Sequence, residues 1–300
     1  MARTSRFLAP LMTLALLISS AAAVLPPQQV LAADYWTISI PADAGANGSN
    51  AALKFGTNAG GSDAYDAGID VAAPPSAPGA TFEGFFKITS GAFTDLNEDY
   101  RAALGAGAGS TLVWSLYLRS TSQNITLTWD DPASAGVPTD ASIILSGGGQ
   151  TINMRSTTTA TYASGTYTLT ITLTRLGTPN EVWVDDNWAC SEPGAAGDAV
   201  TVGNTDLIIG YNAFCDIQKA VDAIQADDPS NGGIIHVLDG TYSAFRIDEN
   251  DISVLGEDEA VVSDGYLTNS LYYLAGIFGS GVVLENLEFD GSSMPSCSDD

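Results

Sequence analysis

Three carboxylates fall within eight residues in the stretch GSDAYDAGID: Asp63, Asp66 and Asp70. Spaced by Gly, Ala and Tyr, they could wrap a hard cation such as calcium with help from backbone oxygens. The spacing lacks the alternate oxygen ligands of an EF-hand, and a polar loop running into Pro74-Pro75 is the plainer reading. Two aromatic pairs, Trp183 with Trp188 and Tyr272 with Tyr273, could form sugar-stacking platforms, although aromatics in a strand-rich chain more often pack inward. The three cysteines, Cys190, Cys215 and Cys297, show no CxxC spacing, and His236 is the single histidine. That leaves no zinc-type ligand set. In an oxidising compartment Cys190 and Cys215 could pair, which leaves Cys297 over or paired with a residue beyond Asp300. His236 reads as a strand residue with a satisfied ring, and Asn286 in LENLEF as a member of an Asn ladder. No cofactor is called for, calcium excepted.

The first 32 residues read as a signal peptide. Arg3 and Arg6 precede an apolar run from Phe7 to Leu25, and Val30-Leu31-Ala32 suits signal peptidase, with Ala21 to Ala23 as the alternative. Removal leaves eight basic residues against 35 acidic ones, a net charge of −27 compared with −25 for the whole chain. No later segment approaches the ~20 apolar residues of a spanning helix. The mature protein is therefore expected to be secreted or held at the cell surface, with no membrane insertion. Its charge argues against nucleic acid or an anionic membrane as partner. An extracellular glycan or cell-surface component remains.

Such residues need elements to place them. With 45% hydrophobic and only 15% charged residues, the chain can bury a core. Residues 34–176 hold seven strand-like runs: YWTISI, AALKFG, TFEGFFKI, TLVWSLYLR, NITLTWD, ASIILS and GTYTLTITLTR. In the last, Leu169, Ile171 and Leu173 alternate with threonines, the period of a half-buried strand. An antiparallel β-sandwich is expected, with Trp114, Trp129, Leu116 and Phe85 in its core. GTPN, residues 177–180, reads as a linker. Beyond it lies one amphipathic helix within 212–226, capped by Asp216, with Ile217, Ala220, Val221 and Ile224 on one stripe and Gln218, Lys219 and Asp222 facing away. Short apolar strands follow at roughly the spacing of solenoid coils: GGIIHVLDGTY, DISVLGEDEAVVSDG and LAGIFGSGVVLENLEFDG. The helix is expected to cover the open apolar end of the first coil. The stretch SSMPSCSDD brings no apolar finish to the third coil, so the chain reads as a fragment or as one whose last coil a partner covers.

The series VWVDDNW, NAFCDIQKAVDAI and GGIIHVLDGTY resembles the opening of right-handed parallel β-helix domains of the pectin-lyase-like superfamily, common in exported bacterial surface proteins. The resemblance covers residues 181–291. It implies an all-β fold: a β-sandwich followed by the capped start of a parallel β-helix over 181–300. It also implies polysaccharide chemistry as one option, by proton abstraction with an Arg or Lys base or by paired carboxylates. From 181 onward the only basic residues are Lys219 and Arg246, and Lys219 lies on the helix. Asp185, Asp186, Asp239 and Asp290 sit beside Asp, Asn or Gly and read as turn residues. No catalytic residue is assigned. The expected function is non-enzymatic adhesion or glycan binding along the β-helix. The alternative is a polysaccharide lyase or glycoside hydrolase whose active coils lie beyond residue 300.

Overall fold

The computed structural model describes residues 35–190, 197–203, 205–225, 232–264, 266–268 and 271–293. The leader and Cys297 lie outside the described residues, as does the side chain of Tyr272. The fold is all-β, with one α-helix among the described residues.

Residues 35–176 form two sheets. The larger has nine strands. Its spatial order is Thr37–Ser39, Lys54–Thr57, Asp95–Arg101, Phe82–Lys87, Thr111–Ser120, Gly165–Arg175, Ala141–Gly147 and Gln150–Asn153. The two-residue strand Val71–Ala72 pairs beside Asp95–Arg101. Pairing is antiparallel except between 54–57 and 95–101. Ten consecutive residue pairs, Gly165–Ser120 through Thr174–Thr111, fix the central register. The smaller sheet orders Thr159–Tyr162, Ile125–Thr128, Ala42–Asp43 and Ser49–Asn50.

Alternation sends one set of side chains from each sheet into a shared apolar cluster. Leu169, Ile171 and Leu173 are buried there with Trp114, Leu116, Ile125, Leu127 and Trp129. Each such aliphatic side chain contributes roughly 1.5–3 kcal/mol. Phe85 is a correction: Phe86 enters the core, whereas Phe85 lies on the opposite face, half-buried. Two adjacent phenylalanines cannot share one face of a strand. The connection at 177–180 is held rather than loose. Tyr211 donates its hydroxyl proton to the Gly177 carbonyl at 2.7 Å, and Ile234 N–H donates to Asn180. Arg155, buried, donates to the carbonyls of Ala141, Val137, Pro138 and Gly197, tying this region to the antiparallel hairpin Ala199–Val202 and Thr205–Ile208.

From residue 181 the main ladder is parallel. Glu181–Val184, Gly233–Val237, Ile252–Asp264 and Val283–Phe289 stack in order, with Gly240–Ser243 beside the second half of 252–264. Val182, Ile235, Val254 and Leu284 share one row; Tyr242, Val262 and Phe289 share another. A second parallel pair joins Phe245–Ile247 to Ala275–Ile277. Rows of like side chains on successive strands let each strand bury the apolar face of the one before.

The helix α1, Ile217–Gln225, is shorter than the expected segment because Ala213–Phe214 joins the parallel ladder beside Trp183–Val184. Asp216 caps it, accepting from the N–H groups of Gln218 and Lys219 at 2.8 and 3.2 Å. Ile217, Ala220, Val221 and Ile224 are buried against Val182, Val184, Ile235 and Val237. Gln218 does not face away. Its amide donates to the Arg246 carbonyl at 3.2 Å and accepts from the Arg246 N–H at 2.7 Å. One side-chain amide thus serves as the missing neighbour for strand 245–247. The glycine pair before the ladder has two separate causes. A Cβ on Gly233 would stand 2.8 Å from Ile224 of the helix, and one on Gly232 would stand 2.5 Å from the Asp251 carbonyl. The disulfide Cys190–Cys215, with Cα atoms 6.0 Å apart, fastens the turn after strand 181–184 to the residue before the helix cap.

At the far side the ladder is less covered. Ile277, Phe278, Val283 and Phe289 are exposed. Among the described residues strand 283–289 pairs only with 252–264, which leaves its other edge unpaired within them. Self-association through this edge is the expected outcome. Sedimentation velocity should show concentration-dependent assembly that Val283→Lys suppresses; a wild-type chain monomeric across the micromolar range would contradict it. Replacing Arg155 with Met should cost roughly 2–4 kcal/mol in denaturant unfolding, because four buried carbonyls lose a charged donor. A loss below about 1 kcal/mol would mean that these carbonyls find other partners.

Candidate functional site

The acidic loop at 62–70 does not gather a cation site. Asp70 is buried and accepts from the N–H groups of Asp66 and Tyr100 at 2.7 and 2.9 Å. Burial raises its carboxyl above the usual range, partly offset by those two hydrogen bonds. Asp66 accepts from the Ser62 hydroxyl, and Asp63 turns outward to Arg101. The three carboxylates therefore anchor a loop, each with its own partner. No group of three or more His, Cys, Asp or Glu side chains suited to a metal occurs among the described residues.

The aspartates of the parallel ladder close turns between strands. Asp185 accepts from Asn187 N–H, Asp186 from Thr241 N–H, Asp239 from Glu259 N–H, and Asp290 from Ser292 N–H. Lys219 is exposed on α1, and Arg246 pairs with Asp248 and lies over the Phe278 ring. Trp183 stacks on His236, centroids 4.8 Å apart, and both Trp183 and Trp188 pack against the cluster of Leu207, Ile209 and Ala213. Neither offers an open platform. His236 meets Glu257 at Nδ1 (2.8 Å) and Glu181 at Nε2 (3.0 Å), two carboxylates from neighbouring strands. Tyr273 lies within the short antiparallel pair 266–268 and 271–273. Among the described residues Asn286 joins no ladder of side chains. Its backbone is left-handed, φ 55°, at the point where the register with strand 252–264 breaks.

The open arrangement is one the sequence leaves unmarked: the outer face of the nine-stranded sheet. Register sets four rows there. Glu83 lies beside Arg119 and Thr166; Phe85 beside Tyr117 and Thr168; Lys87 beside Ser115 and Thr170; Val113 beside Thr172. The Phe85 and Tyr117 rings stack at 4.9 Å and 23°, and the Lys87 ammonium lies 5.6 and 5.1 Å from their centroids. Arg119 donates to Glu83 at 2.7 Å. The Ser76 hydroxyl, and after it Arg119, hold the Glu83 carboxyl below its usual range against the effect of burial.

Two clefts flank the ring pair. One, of about 320 Å³, is lined by Asn50, Pro74, Pro75, Glu83, Phe85 and Asn97. Asn50 is fixed there by donating to the Gly84 carbonyl and to Asn97 Oδ1 at 2.8 and 2.9 Å. The other, of about 360 Å³, lies at Lys87, Arg101, Thr111, Val113 and Ser115. Behind it stands strand 95–101, whose polar sequence hides a central position. Trp114 Nε1 donates to the Asp99 carbonyl, and Arg101 Nη2 donates to the Asp99 carboxylate at 2.9 Å. Among the described residues Asp99 Oδ1 and Arg101 Nε have no partner.

Burial outweighs the Arg101 charge and lifts the Asp99 carboxyl from 3.8 to about 6. The folded chain then holds this proton up to about pH 6, while the unfolded chain releases it near 3.8. Between those values the folded state binds more protons, so stability falls as pH rises. The contribution is on the order of 2 kcal/mol across that window, and Asp99→Asn should flatten it in urea titrations from pH 4 to 7. A variant with the wild-type slope would contradict this assignment. Comparison with known protein families, curated proteins and solved structures finds no match to this chain.

Proposed function

We propose that this chain is an exported surface or extracellular protein that binds saccharides without turning them over. Its binding face is the outer side of the nine-stranded sheet. Expectation from sequence put binding on the parallel strands; the open ring pair shifts it to the preceding region. In this reading residues 34–176 are a β-sandwich, and residues from 181 are the capped start of a right-handed parallel β-helix of the pectin-lyase-like kind. The rows Val182–Ile235–Val254–Leu284 and Tyr242–Val262–Phe289, closed by α1, support that architecture. Among the described residues no helix is long and apolar enough to cross a membrane.

The observation that carries the function is the Phe85–Tyr117 stack, set among hydroxyls and beside the Asn50–Asn97 cleft. Saccharides are bound by this combination: apolar ring faces against aromatic surface, and hydroxyls against amides and hydroxyls with fixed orientation. A threonine-rich face alone would serve only solvation; the cross-strand Phe85–Tyr117 pair adds an aromatic surface to it.

One observation favours the enzymatic alternative, a glycoside hydrolase or polysaccharide lyase: Glu181 and Glu257 flank a single imidazole. Calorimetry against a panel of plant, algal and bacterial oligosaccharides, with a parallel assay for new reducing ends, separates the two. Binding without cleavage is expected, and Phe85→Ala and Tyr117→Ala should each weaken it roughly 5–20-fold with little change in melting temperature. Cleavage abolished by Glu257→Gln would decide for the enzyme. Binding unchanged in both aromatic variants would remove this face from the function.

A further inference from the structure

Lys87 stands apart from the other cations of the nine-stranded sheet. Lys54 pairs with Glu98, Arg119 with Glu83, Arg175 with Asp140, and Arg101 with Asp63 and Asp99. Among the described residues no carboxylate pairs with Lys87, which is exposed above Phe85 and Tyr117. The full chain has ten basic residues against 35 acidic ones. Lys87 makes no close ion pair among the described residues, although its charge is felt by the Glu83 carboxylate, and it shares a cleft with a second cation, Arg101.

The two partners of Arg101 differ. Asp99 is 1% exposed and Asp63 is 90% exposed. Asp63 meets Nη1 from the solvent side at 2.6 Å. An ion pair with one freely solvated member contributes about 0–1 kcal/mol, so an incoming anion can displace it at small cost. Arg101 would keep Asp99 on Nη2, and its side chain is itself held, at 7% exposure. Asp63 thus stands where a ligand carboxylate would stand. The Thr89, Thr111 and Ser115 hydroxyls line the same cleft, and Val113, 47% exposed, gives it an apolar wall.

We propose that this cleft is the subsite for a carboxylate-bearing sugar unit, a uronic acid residue of a longer glycan. The ligand carboxylate is received by Lys87 and by Arg101 Nη1 as Asp63 moves out, while the adjoining sugar lies along Phe85 and Tyr117. This rests on reading the sheet face as saccharide-binding. The net negative charge of the chain does not forbid it, because screening in ~0.15 M salt confines distant repulsion to about 8 Å.

The test compares free and methyl-esterified oligogalacturonate, and likewise alginate oligomers, by calorimetry on the full mature chain. Esterification removes the charge and leaves the sugar backbone. The free acids should bind at least about 10-fold more tightly than their esters. Lys87→Met should erase that difference, and Asp63→Asn should tighten the free acids roughly 3-fold by vacating Nη1. Phe85→Ala should weaken acid and ester alike. Equal binding of acid and ester, unaffected by Lys87→Met, would overturn the subsite and leave saccharide binding standing. Tight binding of sulfated galactan but not of uronates would overturn the carboxylate assignment. Failure to bind any saccharide would sink both readings.

Discussion

Alternation of side chains along an extended strand is the constraint from which the rest of this structure follows. A shift of one residue in the pairing of strands 111–120 and 165–175 would turn every apolar side chain outward. Leu169, Ile171 and Leu173 alone would then lose on the order of 5 kcal/mol of burial, and Trp114, Leu116 and Leu118 would be lost with them. The register is thus fixed by the core. What appears on the other side is fixed with it, down to the placing of Phe85 beside Tyr117 and Lys87 beside Ser115. The candidate binding face is the outward half of the pattern whose inward half holds the sheets together.

The parallel strands obey the same rule with a different solution. Each strand repeats the apolar row of its neighbour, so burial is complete only where a neighbour exists on both sides. At the first strands α1 supplies the cover, and Gln218 lends its amide to the backbone of Arg246 in strand 245–247. At strand 283–289 no such device is present among the described residues, and the large apolar side chains there lie exposed. Turn aspartates stitch one strand to the next through backbone N–H groups, which explains their number without assigning them chemistry.

Much of this was legible in the sequence where the physics is local. Period-two threonines marked strand 165–175, the spacing of Ile217, Val221 and Ile224 marked the helix face, and Asp216 marked its start. Strand 95–101 escaped notice because DLNEDYR reads as a polar turn. Beside buried Leu96 it carries Asp99 and Arg101, a buried ion pair that no hydropathy pattern reveals. Phe85 and Phe86 could not be told apart, since either satisfies the alternation until the register with strand 111–120 is known. The spacing of Asp63, Asp66 and Asp70 suggested a metal, yet each carboxylate finds a different donor, two of them distant in sequence. Both clefts depend on loops laid across the sheet from 62–65 and 73–80, and such long-range placement has no local signature.

Backbone-amide NMR on the isotopically labelled mature chain, titrated with a uronic acid oligomer, examines the assignment of function to a surface most directly. Shifts concentrated at 83–89, 97–101, 113–119 and 168–170, with the parallel strands from 233 to 262 unmoved, are the expected result. Perturbation centred on Glu181, His236 and Glu257, with the sheet face silent, would contradict it and return the function to the parallel ladder.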